Sequence, residues 1–189
     1  MISLILAFQY ESRFLEKVLK DLAPKANELI VALAYEPSEG ELRVLAKYPY
    51  KLVKVSKMLV EEGIIQRALQ ECKGDWILMM RENEYMDNDA LKMIDEKNFK
   101  EDAYAFRRKT FLRGLDDSIF LFFDFPNPQI RLFKKKCKWD VESNSIIGFN
   151  SCRYVPGHIV FDNLNMKLRK YVKTLPIINS SINFLEMGQ

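Results

Sequence analysis

The 189-residue sequence is short of the residues that soft metals and redox chemistry use: it has one histidine, His158, and three cysteines, Cys72, Cys137 and Cys152, with no Cys-x-x-Cys pair. That excludes Cys/His zinc clusters, dithiol redox chemistry and a disulfide framework, and predicts a reducing, intracellular (cytoplasmic) setting. Glycine is scarce too. The seven glycines are scattered, forming no G-x-G-x-x-G turn, no G-x-x-x-x-G-K-S/T loop and no G-x-S-x-G elbow, so backbone cradles for dinucleotides and triphosphates are missing. No stretch of 18 apolar residues occurs, and the run at 2–8 is too short for a signal segment and follows no basic region, which predicts a soluble chain. Nor does one sign of charge dominate: Lys+Arg 29 against Asp+Glu 26 leaves +3, which gives no electrostatic case for a nucleic-acid partner. What the chain does have is 48% hydrophobic residues, enough to bury one core without staples.

Those apolar residues fall into alternating patterns. The run ISLILAF at 2–8 is apolar on both faces, as a strand covered by helices on both sides must be. It is followed at 11–21 by helical spacing of Phe14, Leu15, Val18 and Leu19. The same reading gives strands at 28–34, 51–55 and 75–80 and helices at 39–47, 61–72 and 87–96, with Gly74 closing the helix before it as a C′ glycine. Four βα units in a row predict a parallel, doubly wound sheet with its crevice at the carboxyl ends of the strands. The second half reads as a mixed or antiparallel part: aromatic-rich strands at 104–112 and 119–125, another at 129–133 after Pro126 and Pro128, a basic helix at 165–173 and a polar tail.

The strand at 75–80 runs into Arg81-Glu82-Asn83-Glu84. Acidic and amide oxygens at a strand's carboxyl end suit Mg²⁺ or Mn²⁺ bridging a diphosphate, because hard cations take oxygen ligands and leave positions for phosphate. A solvated strand-to-helix turn is the plain alternative. His158, alone on an alternating strand, is read as structural, and Asp102, Asp116 and Asp117 as solvated loop acids. The basic stretches at 106–113 and 134–138 are solvated strand faces or, with their aromatics, a place for anionic headgroups.

Several strings resemble family 2 glycosyltransferases of the GT-A fold. GDWILMMRENE at 74–84, preceded by QRAL at 66–69, is similar to the family's "RN-x-AL…GDWIL-x-LDADE". PQIRLFK at 128–134 is similar to "D-x-Q-x-RLF" followed by Arg or Lys, and YVPGHIVFD at 154–162 to "YL-x-x-PI-x-HY". The start, ISLILAFQYE with ELIV at 28–31, is similar to "ISL-x-MIVKNE" and "EIIVVD". The resemblance covers residues 2–165 and implies an α/β, GT-A-like (Rossmann-related) mixed, mainly parallel sheet flanked by helices, with a smaller antiparallel part in the second half. It also implies one domain: a nucleotide-sugar-binding half at 1–100, an acceptor-side half at 101–165 and a C-terminal extension at 166–189.

The activity implied is transfer of a sugar from a nucleotide-diphosphate sugar to a hydroxyl acceptor, inverting and assisted by Mg²⁺ or Mn²⁺. The alternative is a catalytically silent GT-like domain that binds a glycan or a protein partner. By position, the family's "DAD" becomes Arg81, Glu82 and Asn83, and its following Glu is Glu84. Arg81 and Glu82, with Glu36 for the base, are the nucleotide-binding candidates; Asn83, Glu84 and Asp162 are the metal candidates. Leu33 and Phe161 stand where the family has a base-facing Asp and a metal-binding His. Arg81 is also placed to pair with the diphosphate directly. The general base is expected at Glu142, with Asp140 its rival on the same side of an extended segment. The acceptor is a glycan, a protein or a lipid-linked sugar, the last bringing peripheral membrane contact, and a homodimer is open.

Overall fold

A computed structural model describes residues 1–55, 61–113, 119–140, 143 and 145–167, with side chains for 1–55, 63–111, 128–140, 143 and 145–161 of these. Strand β1 (Ile2–Phe8) is buried along its whole length, which is why it carries no polar alternation beyond Ser3. It lies between β2 (Glu28–Leu33) and β4 (Trp76–Arg81), parallel to both, with Ser3 opposite Glu28 on one side and Ile77 on the other. Strand β3 (Lys51–Lys54) extends the parallel set beyond β2, and its exposed lysines suit a sheet edge. Helices α1 (Leu15–Leu22), α2 (Glu39–Leu45), α3 (Glu61–Glu71) and α4 (Asn88–Glu96) fill the connections.

One face of the sheet, with Leu4, Leu6, Phe8, Leu78 and Met80, packs with Val18 and Leu22 of α1 and Ala90 and Ile94 of α4. The other, with Ile5, Ala7, Ile77 and Met79, meets Ile64, Ile65 and Ala68 of α3.

The helix expected from residue 11 starts at Leu15 because Ser12 organises a turn first: its carbonyl accepts from Leu15 N at 3.2 Å and its hydroxyl from Phe14 N at 3.3 Å. Helix α2 has a capping box: Ser38 Oγ accepts from Glu41 N at 3.3 Å while Glu41 accepts from Ser38 N at 3.0 Å. Gly74 is not the left-handed helix terminator expected. Its nitrogen donates to Ser3 Oγ at 2.8 Å, and a Cβ there would lie 2.5 Å from that oxygen and 2.9 Å from Met1 O, so glycine is needed for close approach to β1.

Beyond β4 the sheet becomes mixed. Strand β5 (Glu84–Met86) follows after Glu82 and Asn83, then β6 (Ala103–Arg113), β7 (Ile119–Lys134) and β10 (Cys152–Lys167); the order is β3-β2-β1-β4-β7-β6-β10-β5. Three strands thus separate β4 from β5, although two residues join them. The strands expected at 119–125 and 129–133 are one strand. Its pairing with β6 jumps from Phe106–Gln129 to Arg108–Asp124, so Pro126 and Pro128 fall in a bulge where the ladder needs no N–H from them. The helix expected at 165–173 is corrected over its first turn, since β10 continues as strand to Lys167; the rest of that segment, the extension to 189, Asp116, Asp117 and Glu142 lie outside the described residues.

A two-stranded antiparallel sheet, β8 (Lys138–Asp140) and β9 (Ser145–Ile147), lies against the face covered by α3, with Trp139 and Ile146 in that core. Among the described residues no helix is long and apolar enough to cross a membrane.

Candidate functional site

Strand β1 continues in one direction to β2 and in the other to β4, so the crevice at the carboxyl ends of these three strands is the switch point of the sheet. The described side chains beyond β1 and β2 in this crevice include several acids. Tyr35, just after β2, donates to Glu41 Oε1 at 2.5 Å, and Ser38 Oγ donates to Glu11 Oε1 at 3.3 Å. Burial pushes the Tyr35 phenol up, and the bond to Glu41 and the charges of Glu11 and Glu82 push it further. Glu82 accepts from Gln9 N at 3.5 Å, tying the end of β4 to the loop after β1. Glu36 is exposed and 3.5 Å from Lys54 of β3. Leu33, where the resemblance puts a base-facing Asp, is buried at 3% exposure.

Asn83 makes the link between β4 and β5 with φ at 59°, a left-handed conformation that Asn tolerates better than most residues. Glu84 follows it into the interior. Its carboxylate receives both arms of the Arg131 guanidinium, Nε to Oε2 at 3.1 Å and Nη2 to Oε1 at 2.7 Å, with side-chain exposures of 1% and 2%. Arg81 N also donates to Oε2, at 3.1 Å. Burial alone would raise the Glu84 pKa, but Arg131, with Arg108 and Arg81 nearby, holds it below the ordinary value. This carboxylate is therefore the acceptor of a buried, bidentate ion pair rather than a group that faces the crevice.

A cleft of about 600 Å³ opens between the sheet and the β8–β9 hairpin. Arg81 lines it from β4, Arg131 from β7, Arg108 from β6, Trp139 and Ser145 from the hairpin and Tyr154 from β10. The Arg81 guanidinium lies 5.5 Å from the Trp139 ring centroid, and Arg108 lies 4.2 Å over the ring of Phe161. The position where the resemblance has a metal-binding His is thus a ring under an arginine. Phe161 pairs with Glu84 in the β10–β5 ladder, so the 81–84 cluster and the 161–162 segment do come together at backbone level; the Asp162 side chain lies outside the described residues.

Asp140 Oδ2 accepts from Ser143 N at 2.9 Å and from its hydroxyl at 2.5 Å. These bonds hold its pKa below the ordinary value and anchor the β8–β9 turn. His158 meets partners no sequence pattern announces. Its Nδ1 is 2.9 Å from Asp87 Oδ2 and its N–H donates to Asp87 Oδ1 at 2.9 Å, while Asp87 also caps α4 by accepting from Ala90 N at 3.1 Å.

Asp102 is not the solvated loop acid expected: it pairs with Lys134 at 2.9 Å and Lys136 at 2.6 Å and accepts from Asn150 N at 3.0 Å. Those lysines, Lys136 first, hold its pKa far below the ordinary value.

Among the described residues the donor set for a divalent ion is incomplete, the Asp162 side chain lying outside them. Among the described residues no three His, Cys, Asp or Glu side chains gather as a metal site would require. Glu84 is engaged by Arg131, and Arg81 brings positive charge to the strand end that in the resembled family is acidic.

No family model matches the sequence, and no curated protein matches it. Among solved structures, the chain is similar to HddC from Yersinia pseudotuberculosis, with a TM-score of 0.53 at 12% identity over 85% of this chain and 92% of that one. The same protein complexed with GMP-PN gives a TM-score of 0.52. TarS 1–349 of S. aureus scores 0.46 at 16% identity over 71% of this chain. Glucosyl-3-phosphoglycerate synthase from Mycobacterium tuberculosis in complex with Mn²⁺, uridine-diphosphate and phosphoglyceric acid scores 0.42 at 20% identity over 61% of this chain. The chain spans less than half of these last two, 47% and 44%. The fold is the GT-A-like, Rossmann-related α/β arrangement, with a mixed, mostly parallel sheet flanked by helices and a small antiparallel sheet beside it.

Proposed function

We propose that this protein transfers a sugar from a nucleotide-diphosphate sugar to a hydroxyl acceptor, with inversion, and that Arg81 neutralises the departing diphosphate. The observation that carries this reading is the position of Arg81: the strand at the switch point ends on it, and its guanidinium lines the 600 Å³ cleft. The strings at 74–84, 128–134 and 154–162 and the fold shared with HddC, itself complexed with GMP-PN, support it.

In the reaction, the acceptor oxygen bonds to the sugar's anomeric carbon as the bond from that carbon to the diphosphate breaks. Negative charge then builds on the leaving phosphate. A guanidinium fork held in place gives two donors for that charge without reorganising. The acceptor's proton goes to a carboxylate. Glu142 is assigned this role over Asp140, because the two bonds from Ser143 make Asp140 a weaker base. Glu82 and Glu36 border the nucleotide side, where carboxylates accept from ribose or base N–H and O–H groups. Residues 1–100 then serve the donor and 101–165 the acceptor, a glycan, a protein or a lipid-linked sugar.

The test is product formation and thermal stabilisation with UDP, GDP and dTDP sugars. One of them should raise the melting temperature as RT ln(1 + [L]/Kd) requires, and transfer should persist in EDTA. Arg81→Ala should lower the rate roughly 100-fold or more. Activity abolished by EDTA would move the charge-neutralising role to Mg²⁺ or Mn²⁺ on Glu82, Asn83 and Asp162. Flat melting curves with every nucleotide would favour a GT-like domain that binds a glycan or protein without catalysis; the buried Leu33 favours that second reading.

A further inference from the structure

Trp139 forms part of the cleft wall and is almost wholly shielded from solvent, at 7% exposure. Its indole N–H is buried and has no hydrogen-bond partner among the described residues. That is unfavourable for a group that can only donate, because a buried donor gives up its bond to water and gains none in return. A buried indole N–H ordinarily finds an acceptor within its own protein. This one stands in the wall of a cleft, where a ligand can supply the acceptor.

The neighbours of the indole indicate which ligand. The Arg81 guanidinium, 5.5 Å from the ring centroid, is the group assigned above to the diphosphate, so the indole meets the unit joined to that diphosphate. Beside it the wall is made by Ser143 and Ser145, and Gln129 comes in from β7. Hydroxyl and amide groups both donate and accept, as the hydroxyls of a sugar do. Resting on the glycosyl-transfer reading, we infer that the Trp139 N–H donates to a hydroxyl oxygen of the sugar being transferred, so that this indole orients the sugar and selects for a hydroxyl at one position of its ring. The free protein bears the cost of the unmade bond, and the bound sugar removes it.

The indole N–H resonance of Trp139 in the full chain tests this. Trp76 is the one other tryptophan; it packs with Phe99 and Tyr104, and its signal is identified by its loss in Trp76→Phe. UDP-glucose, GDP-mannose and dTDP-glucose are each compared with UDP, GDP and dTDP. One sugar nucleotide should move the Trp139 resonance downfield as the bond forms, and its nucleoside diphosphate should move it far less. Incorporating 3-benzothienylalanine in place of Trp139 keeps the ring system and exchanges the N–H for sulfur. It should weaken that sugar nucleotide about threefold to tenfold and the nucleoside diphosphate less than about twofold, while the free protein melts no lower than before.

A free protein that melts lower with the isostere would mean that the N–H is already bonded, and overturns the inference. So does an unchanged affinity for the sugar nucleotide, or an equal loss for the sugar nucleotide and the nucleoside diphosphate, which would put the acceptor oxygen on the phosphate. If no nucleotide binds but glucose or mannose moves the resonance, the sugar contact stands and the glycosyl-transfer reading fails; silence towards nucleotides and free sugars alike ends both.

Discussion

Glu84 answers three guanidinium groups, Arg131 in contact and Arg108 and Arg81 near enough to help lower its pKa. Removing one member of such a buried pair leaves the other desolvated without compensation, so Glu84→Gln should cost about 3–5 kcal/mol in denaturant unfolding, and Glu84→Leu with Arg131→Met much less than either alone. The sequence shows both charges, but 47 residues apart and in two separate strings, and nothing in either string says that they meet. The pairing had one available sign: Arg131 stands between Ile130 and Leu132 in an apolar strand, and a charge buried there needs an opposite one.

Glu84, Asp87 and Asp102 all have folded pKa values below the ordinary 4.5 for Glu and 3.8 for Asp. A carboxylate depressed by folding adds stability that is fully present above its unfolded value and is lost as pH falls towards its folded one. The melting temperature should therefore be flat from neutral pH down to about 5 and fall steadily below about 4.5. A melting temperature that rose on acidification would contradict these pairings.

At the scale of elements, the crossing of β10 over α4 depends on two residues. Gly157 has φ at 105°, and a Cβ there would come within 2.3 Å of Ala90 N, so no other residue lets the strand pass that close to the helix. Asp87 then binds the two together, capping α4 and accepting from the backbone of His158 at the same oxygen. Asp87→Ala should cost about 2 kcal/mol, the upper end for a lost cap, and hydrogen exchange should rise both in the first turn of α4 and at His158. A rise confined to the helix would deny the bridge.

The elements themselves were largely legible: β1, β2 and β4 lie where continuous apolar runs of Ile, Leu, Val and Met occur, because a strand buried on both faces has no freedom to be polar. Strand β5 was not, since three residues opening on Glu84 look like a turn until Arg131 is seen beside them. The join within β7 was hidden by Pro126 and Pro128, which break most ladders but not one that bulges around them.

At the scale of the whole molecule, the described charges are sorted by position in the sheet. Among the described side chains, Glu11, Glu36, Glu41 and Glu82 lie beyond β1 and β2, and Arg81, Arg131 and Arg108 line the cleft beyond β4, β7 and β6. A near-zero sum conceals this, which is why the net charge of +3 says nothing about the site; Arg81 and the basic stretch at 106–113 are legible in the sequence, but nothing there joins them to Arg131 and Trp139 in one cleft.

The separation of β4 from β5 by three strands also sets an order of events. When a nascent chain emerges at roughly 5–20 residues per second, β1, β2 and β4 have their partners as soon as Arg81 is made, whereas β5 must wait for β10, the last described strand. Glu84 is made 47 residues before its guanidinium, and until β10 is made the short ribbon of Tyr85 and Met86 is an unpaired edge open to proteases and to other chains. Refolding followed by pulsed hydrogen exchange should protect Ile2–Phe8 before Glu84–Met86, because the nearer strands close at lower entropic cost, and a chain cut short of Val160 should keep the first set of protected amides while losing the second.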